Sequence, residues 1–214
     1  MAEERLKRWE TLFQRALVLI DSAEAAGAPF KLWTFGGGTV LMRRFHHRFS
    51  KDVDIFVPDP QYFGYVTPKL SDTAASLTGD YIESALSLKL VFPEGEIDFI
   101  ASAALTASPS ATEEILGRRV EVETTTEIIA KKVWHRGADF KARDIFDLAM
   151  VAEKDPDALR EIIPILHDRK DAILSRIASS DKQLRGDFAE LETMDYRPTY
   201  DECVATVRST LHLK

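Results

Sequence analysis

The sequence predicts an α+β fold on the strength of three observations. Short runs rich in branched and aromatic residues, the pattern of strands, crowd the first 123 residues. Apolar residues at helical spacing dominate residues 124–214. Strands followed by helices, rather than alternating with them, are typical of α+β proteins. We therefore predict a strand-rich domain over residues 1–123 and a helical domain over residues 124–214, and leave open that both halves share one core.

Two helices are predicted in the first half. Residues 3–26 carry an apolar stripe at helical spacing, and Gly27 and Pro29 stop it. A short helix is predicted over residues 39–47, directly after a glycine turn at residues 36–38. This order places the start of a helix at a stretch of bare backbone.

The predicted strands are short runs of branched or aromatic residues at 30–35, 52–57, 86–92, 96–102 and 118–123. The run at 52–57 stops at Pro58, which cannot donate to a strand ladder. The runs at 86–92 and 96–102 flank a turn that contains Gly95, so they predict a hairpin.

The second half begins with a helix-capping signal. Thr124 and Glu127 have the spacing of a capping box, and Gly137 suits the end of the helix that follows. Another helix is predicted over residues 140–154, and the chain from Asp157 onward is helical in character. The second half is therefore predicted to be almost entirely helical.

Composition excludes several classes of protein. No stretch approaches the roughly 18 apolar residues of a membrane helix, and the amino terminus lacks the apolar region of a signal peptide. A single cysteine, Cys203, excludes an internal disulfide framework and a cysteine-based zinc site. We expect a cytoplasmic protein without membrane association.

Charge is distributed unevenly along the chain. The net charge of −7 argues against a surface built for broad nucleic-acid binding. Residues 31–51 nevertheless contain no acid, and the basic stretch 131–143 contains only Asp139. Positive charge concentrated on an acidic body indicates a focused anion site, such as one for a phosphate chain. The alternative is that these runs are solvated helix faces.

Paired carboxylates follow from strand alternation. Asp52 and Asp54 share one face of the strand at 52–57, and Glu96 and Asp98 share one face of a later strand. If these strands are neighbours, three carboxylates converge. Each like-charged pair at about 4 Å costs roughly 4 kcal/mol, so such a cluster must take up protons or a cation. Hard oxygen ligands favour Mg²⁺ or Mn²⁺, whereas the alternative is surface acids on an edge strand.

The glycine turn strengthens the metal interpretation. Gly37 and Gly38 let backbone N–H groups approach phosphate oxygens, the following helix adds a favourable dipole, and Thr39 supplies a hydroxyl. A strand carrying Asp52 and Asp54 follows in order. A phosphate cradle followed by a metal clamp is what the transfer of a nucleotidyl group requires.

These residues resemble the nucleotidyltransferases related to DNA polymerase β, and within that superfamily the AbiEii/AbiGii-type toxins. The typical signature of those toxins is G-G-T, a helix and then H-R-x-S-x-D-x-D, which is matched here by His47, Arg48, Ser50, Asp52 and Asp54. A helical lysine and an R-D-x-x-D motif are also typical, and are matched by Lys132, Arg143, Asp144 and Asp147. The resemblance covers roughly residues 30–150.

The resemblance implies a polymerase-β-like core with a mixed sheet, a mostly helical second half, and a defined set of site residues. The implied catalytic and metal-binding residues are Asp52, Asp54 and Asp98. The implied nucleotide-binding residues are Gly37, Gly38, Thr39, Arg48, Ser50 and Lys132. Asp144 is expected to orient Lys132 or to assist the acceptor.

The implied reaction is transfer of an NMP group from an NTP to an acceptor hydroxyl with Mg²⁺ or Mn²⁺. The implied biological role is that of the toxin in a bacterial toxin–antitoxin or abortive-infection pair, acting on RNA such as tRNA and paired with a cognate antitoxin protein. Two rival functions stay open: a nucleotide-sensing module without catalysis, and a transferase that modifies a protein or a small molecule such as an antibiotic.

Several residue roles also have alternatives. Glu96 rather than Asp98 can be the third carboxylate, since both lie on the same strand face. Lys132 and Arg136, four apart on a helix, are otherwise a solvated stripe. Arg143 is expected to form a structural ion pair with Asp147 at the same spacing.

Overall fold

The computed structural model describes residues 7–28 and 30–213. The chain forms two compact units, each built from three segments. The first unit comprises Met1–Val40, Ser50–Ala103 and Ser110–Glu123, and the second comprises Leu41–Phe49, Ala104–Pro109 and Thr124–Lys214. The predicted domain boundary at residue 123 stays a prediction.

A mixed seven-stranded sheet forms the first unit, with the strand order β3-β4-β5-β2-β1-β7-β6. The strands are β1 Thr34–Gly36, β2 Val53–Val57, β3 Tyr81–Glu83, β4 Ser87–Phe92, β5 Gly95–Ala101, β6 Ser110–Ile115 and β7 Arg118–Glu123. Strand β2 is antiparallel to β1 and parallel to β5, and β4 and β5 form the predicted hairpin. The predicted α+β class with a mixed sheet is confirmed.

The central strands bury one face and leave the other half-exposed. In β2, Val53, Ile55 and Val57 are buried, and the side chains between them are only partly covered. Strand β5 alternates in the same way, with Ile97 and Phe99 buried. Because side chains alternate across a strand, both central strands present their polar residues on the face opposite the core.

Helices cover the core face of this sheet. The helices that begin in the first unit are α1 Arg8–Ala25, α2 Gly37–Phe45, α3 Phe63–Val66 and α4 Asp72–Leu77, with a 3₁₀ turn at Pro60–Tyr62. Leu12, Phe13 and Ile20 of α1 are fully buried, and the ring of Phe13 lies 4.6 Å from that of Phe35 in β1. Residues 3–6 and Pro29, part of the predicted first helix and its stop, lie outside the described residues.

The second unit is helical. Its helices are α5 Thr125–Arg136, α6 Ala142–Lys154, α7 Ile163–Ser179, α8 Asp181–Ala189 and α9 Tyr200–Thr210, with 3₁₀ turns at Gly137–Asp139 and Pro156–Leu159. Phe146 of α6 lies at its centre, with ring centroids 5.7 Å from Phe188 and 5.2 Å from Tyr196. None of the helices in the described part of the chain is long and apolar enough to cross a membrane.

The predicted capping box at α5 is half formed. The hydroxyl oxygen of Thr124 accepts a hydrogen bond from the backbone N–H of Glu127 at 3.2 Å. The carboxylate of Glu127 is fully buried and accepts the backbone N–H groups of Leu105 and Thr106, both at 3.0 Å. Glu127 therefore fastens the segment 104–109 to α5 instead of completing the cap.

Three differences from the sequence prediction have simple physical causes. Strand β1 spans Thr34–Gly36 instead of the predicted 30–35, because Phe30 is buried in a turn where its ring packs edge-on against Phe99. Strands β3 and β6 were not predicted. Their side chains are mostly exposed and so show no apolar alternation. Backbone pairing with a neighbouring strand, rather than burial, defines both.

Candidate active site

The glycine turn is built against a carboxylate. Strand β1 ends at Gly36, and helix α2 starts at Gly37, whose φ of +74° lies in the left-handed region. A Cβ atom at Gly37 would lie 1.8 Å from Oδ2 of Asp54. Only glycine fits both the backbone conformation and this close approach. The bare backbone at the start of α2 therefore contacts the side chain of Asp54.

Asp54 and Asp98 are direct neighbours on the sheet. They are register partners on the parallel strands β2 and β5, so their side chains leave the same face. Burial raises the pKa of Asp98, the charge of Asp54 raises it further, and the nearby Lys89 opposes both, with the result that the pKa stands at about 7. The two carboxylates predicted on different strands thus come together.

Asp52 lies outside the pair formed by Asp54 and Asp98. It precedes the first residue of β2, and its Oδ1 accepts the backbone N–H of Glu96 at 3.0 Å. A Cβ atom at Gly95 would lie 2.9 Å from the same oxygen. Among the described residues, no three His, Cys, Asp or Glu side chains are grouped closely enough to hold a metal ion. The structure therefore brings together two of the three predicted carboxylates, those of Asp54 and Asp98. The third, that of Asp52, binds the backbone at the start of β5 instead.

Glu96 and Asp98, the two candidates for the third carboxylate, have different partners. Glu96 forms an ion pair with Lys89 of β4, and Asp98 lies beside Asp54. The Nζ atom of Lys89 also lies 3.4 Å from Oδ2 of Asp98. This arrangement favours Asp98 over Glu96 as the partner of Asp54. Sequence reasoning missed Lys89, because a single lysine in an apolar strand looks like an ordinary outward-facing residue.

Thr39 and Ser50, predicted to bind nucleotide, contact each other. The hydroxyl of Thr39 lies 3.0 Å from Oγ of Ser50 and also bonds the backbone carbonyl of Asp52. Thr39 is fully buried, so its hydroxyl ties helix α2 to the residue before β2. Contact of Thr39 and Ser50 with a nucleotide stays a prediction.

The second unit contains a buried network of charges. The two carboxylates of the R-D-x-x-D motif, Asp144 and Asp147, are fully buried. Lys132 donates to Oδ1 of Asp144 at 2.9 Å and lies 3.1 Å from Oδ2 of Asp147. Arg48 binds Asp147 through two nitrogens, at 2.7 and 2.8 Å. Lys132 and Arg48 are only 8% and 5% exposed, so both are packed against carboxylates.

The predicted pairing of Arg143 with Asp147 is wrong. Arg143 is exposed, while Asp147 faces the interior and is bound by Arg48, Lys132 and His47. The expected contact of Asp144 with Lys132 is present, and Arg136 adds a second cation at 2.8 Å. Arg48 and Lys132 therefore have structural partners within their own unit, and their contact with a triphosphate stays a prediction.

The electrostatics of this network follow from its composition. Burial by itself would raise the pKa of Asp147, but the charges of Arg48 and Lys132 outweigh it and hold the pKa well below its ordinary value. Burial lowers the pKa of His47, partly offset by its contact with Asp147. Nε2 of His47 lies 2.9 Å from Asp147, and Nδ1 has no hydrogen-bond partner among the described residues. His47 is therefore a neutral donor at neutral pH.

A substitution at Gly37 tests the contact between the glycine turn and Asp54. We expect Gly37→Ala to lower nucleotidyl transfer at least about tenfold, because the new methyl group displaces the Asp54 carboxylate. Gly117→Ala is the matched control: its φ is +77°, but a Cβ atom there would meet no heavy atom within 4 Å. Urea unfolding and transfer rates of both variants separate backbone strain, of roughly 1–2 kcal/mol, from the clash. Equal losses in the two variants would contradict the contact.

Comparison with known proteins identifies the class to which this fold and site belong. The glycine turn at the start of α2 and the strand carboxylates are the elements that the sequence motifs share with nucleotidyltransferases. The family model described as "Nucleotidyl transferase AbiEii toxin, Type IV TA system" matches residues 22–209. The chain therefore belongs to the AbiEii family of nucleotidyltransferase toxins, as the sequence motifs predict.

A solved structure supports the fold. A protein from H. pylori, provisionally named a nucleotidyltransferase, superposes with a TM-score of 0.54 at 16% identity and covers 99% of this chain and 94% of its own. JHP933 from Helicobacter pylori superposes with a TM-score of 0.49 at 14% identity, covering 94% of this chain and 90% of its own. No curated protein matches the chain significantly.

Proposed function

We propose that this protein is a metal-dependent nucleotidyltransferase that moves an NMP group from an NTP to an acceptor hydroxyl. One observation carries the proposal: the bare backbone of Gly37 contacts Asp54, and Asp54 is aligned with Asp98 on the neighbouring strand. A phosphate-binding turn and a carboxylate pair are thereby adjacent in one unit. Membership of the AbiEii family supports the same reaction.

The carboxylate pair fits Mg²⁺ or Mn²⁺. Asp54 and Asp98 are hard oxygen donors on neighbouring strands, both partly accessible to solvent. Mg²⁺ is usually held by one or two carboxylates together with substrate phosphates, so the pair suffices without a third protein ligand. A bound ion would neutralise the charge of the transferring phosphoryl group and orient its oxygens.

The surrounding residues orient the pair and its substrate. Helix α2 begins at Gly37 beside Asp54, so its first backbone N–H groups and its dipole would favour a phosphate bound there. Asp52, by accepting the N–H of Glu96, fixes the start of the strand that carries Asp98. Asp54 would hold the ion, and Asp98 would share it and orient the attacking hydroxyl.

We propose that the protein acts as the toxin of a toxin–antitoxin pair, with a cognate antitoxin protein, and that its acceptor is RNA such as tRNA. The family assignment supports the toxin role. The acid-free stretch 31–51 supports an anionic acceptor on a protein of net charge −7. Arg48 in this stretch binds Asp147, so we propose that other basic side chains of the stretch, Arg43 and Arg44 among them, contact RNA.

A double substitution tests the RNA acceptor. We expect Arg43→Gln together with Arg44→Gln to reduce RNA modification about tenfold while NTP affinity changes little, because few phosphate contacts support RNA binding on an acidic protein. For the same reason the salt dependence of RNA binding should be shallow. Arg143→Gln with Arg160→Gln removes the same charge from exposed positions and serves as the control. Equal losses of RNA modification and NTP affinity, or no loss, would contradict this acceptor surface.

The position of the label in the NTP tests the reaction itself. The protein is incubated with total RNA and each NTP, labelled at either the α- or the γ-phosphate. Nucleotidyl transfer predicts that α-label enters the RNA and that pyrophosphate is released in equal amount. Incorporation of γ-label would indicate a kinase. Binding of NTP without any incorporation into RNA, protein or small molecules would favour a nucleotide-sensing module.

A further inference from the structure

Lys89 is a basic residue placed directly at the carboxylate pair. It lies on β4 as the register partner of Asp98 on β5, so both side chains leave the same sheet face. Its Nζ atom is 3.4 Å from Oδ2 of Asp98 and forms an ion pair with Glu96. The Lys89 side chain is 31% exposed. A positive charge therefore already sits on one of the two carboxylates proposed to hold a divalent cation.

Two cations at one carboxylate oppose each other. A divalent ion bound between Asp54 and Asp98 would share Asp98 with the ammonium of Lys89 and would be repelled by it, which weakens binding of the free ion. The triphosphate of an NTP brings several negative charges, which offset both cations together. Glu96, which leaves the same face of β5 as Asp98, also pairs with the lysine and helps to hold it there.

We propose that Lys89 is a built-in competitor for the divalent cation at Asp98, so that the carboxylate pair binds the cation well only together with the nucleotide. This proposal rests on the proposed function. It makes Lys89 a positioning residue that couples the binding of metal and NTP. Because coupling between two ligands is reciprocal, metal must raise the affinity for NTP by the same factor by which NTP raises the affinity for metal.

Mn²⁺ binding tests the proposal without any turnover. Mn²⁺ affinity is measured by electron paramagnetic resonance, with and without an NTP analogue whose α–β bridge cannot be cleaved. For the unmodified protein we expect the analogue to tighten Mn²⁺ binding at least tenfold. Lys89→Met should bind free Mn²⁺ about threefold to tenfold more tightly, since a partly buried ion pair exceeds the value of a fully exposed one. The coupling factor should shrink to the same extent.

Two further variants separate direct competition from net charge. Lys89→Met with Glu96→Gln keeps the local net charge of the unmodified protein and should still bind free Mn²⁺ more tightly than that protein. Lys69→Met removes one exposed lysine of the same unit and should change nothing. The Asp54→Asn variant should no longer show bound Mn²⁺, and this loss would assign the ion to the carboxylate pair of Asp54 and Asp98.

The outcomes distinguish the proposal from the function on which it rests. If Lys89→Met binds free Mn²⁺ no more tightly than the unmodified protein, or keeps the full coupling to the analogue, the role of Lys89 is overturned while the metal site stands. If the double variant returns to the affinity of the unmodified protein, net charge rather than Lys89 sets the affinity and the proposal fails. If the unmodified protein binds no Mn²⁺ even with the analogue, both proposals fail.

Discussion

Asp54→Asn is expected to abolish nucleotidyl transfer while the protein stays folded. Asp54 lies between the glycine turn and Asp98, so the change removes the charge of one of the two carboxylates proposed to hold the ion while keeping the size of the side chain beside Gly37. A metal ion supplies several kcal/mol of transition-state stabilisation, which corresponds to a rate loss of a hundredfold or more. The rate of α-label incorporation measures the loss. Asp80→Asn, an exposed carboxylate of the same unit, is the control.

Without metal, the carboxylate pair of Asp54 and Asp98 should make the free energy of unfolding depend on pH. The pKa of Asp98 is raised to about 7 in the folded protein, against about 3.9 for an unperturbed aspartate. Between these values the folded state holds a proton that the unfolded state has released, so stability falls as pH rises from about 4 to about 7. The free energy of unfolding is lowered by at most about 4 kcal/mol, and this full loss is reached above pH 7.

Asp98→Asn should remove this fall in stability, and Asp54→Asn should reduce it. Urea unfolding at pH 5 and pH 8 measures the difference. Unchanged pH dependence in Asp98→Asn, or full transfer activity in Asp54→Asn, would contradict the carboxylate pair as the centre of the site.

Asp147→Asn is expected to destabilise the protein by about 3–5 kcal/mol, the usual cost of breaking a buried ion pair. Asp147 is fully buried and bound by Arg48, Lys132 and His47, so the change removes the carboxylate that binds Arg48 twice and leaves Lys132 with only one of its two carboxylates. Urea unfolding at pH 7 measures the change. Asp157→Asn, which breaks an ion pair with Arg160 whose side chains are 75–80% exposed, should cost less than about 1 kcal/mol.

The pH dependence of this effect has the opposite sign to that of Asp98. The folded-state pKa of Asp147 is depressed, so its contribution is present above the unfolded pKa, near 4, and is lost as pH falls below it. Asp147→Asn should therefore be less sensitive to acid than the unmodified protein. A stability change as small as that of Asp157→Asn would contradict the buried network.

The buried charge network around Asp144 and Asp147 also determines how a substitution of Lys132 must be interpreted. Lys132→Met removes the cation between Asp144 and Asp147, so we expect lower stability before any effect on nucleotide affinity. NTP affinity measured at a temperature where the variant is fully folded separates the two effects. Lys131 is a poor control, because it is itself buried and lies 3.5 Å from Glu127.

Local patterns predicted the parts of the fold that depend on local chemistry. Pro58, the alternation of Val53, Ile55 and Val57, and the turn at Gly95 define β2 and the β4–β5 hairpin without reference to distant residues. The capping residue Thr124 likewise marks the start of α5. The family motifs predicted the class of protein, which the family match over residues 22–209 confirms.

Other features depend on tertiary contacts that no local pattern shows. The carboxylate of Asp52 turns to the N–H of Glu96, 44 residues away. Arg48 binds Asp147, which lies 99 residues away in the sequence. Lys89 lies beside Asp98 only because β4 pairs with β5 in the register that makes these two residues partners. In each case the partner is defined by strand pairing or helix packing rather than by spacing.

The position of a bound ion tests the central claim most directly. Crystals grown with Mn²⁺ and an uncleavable NTP analogue would show the ion by its anomalous scattering. We predict an ion about 2.1 Å from carboxylate oxygens of both Asp54 and Asp98, with a phosphate oxygen as a further ligand and the triphosphate against the backbone of Gly37. An ion bound elsewhere, or a triphosphate bound away from the glycine turn, would contradict the assignment of this site.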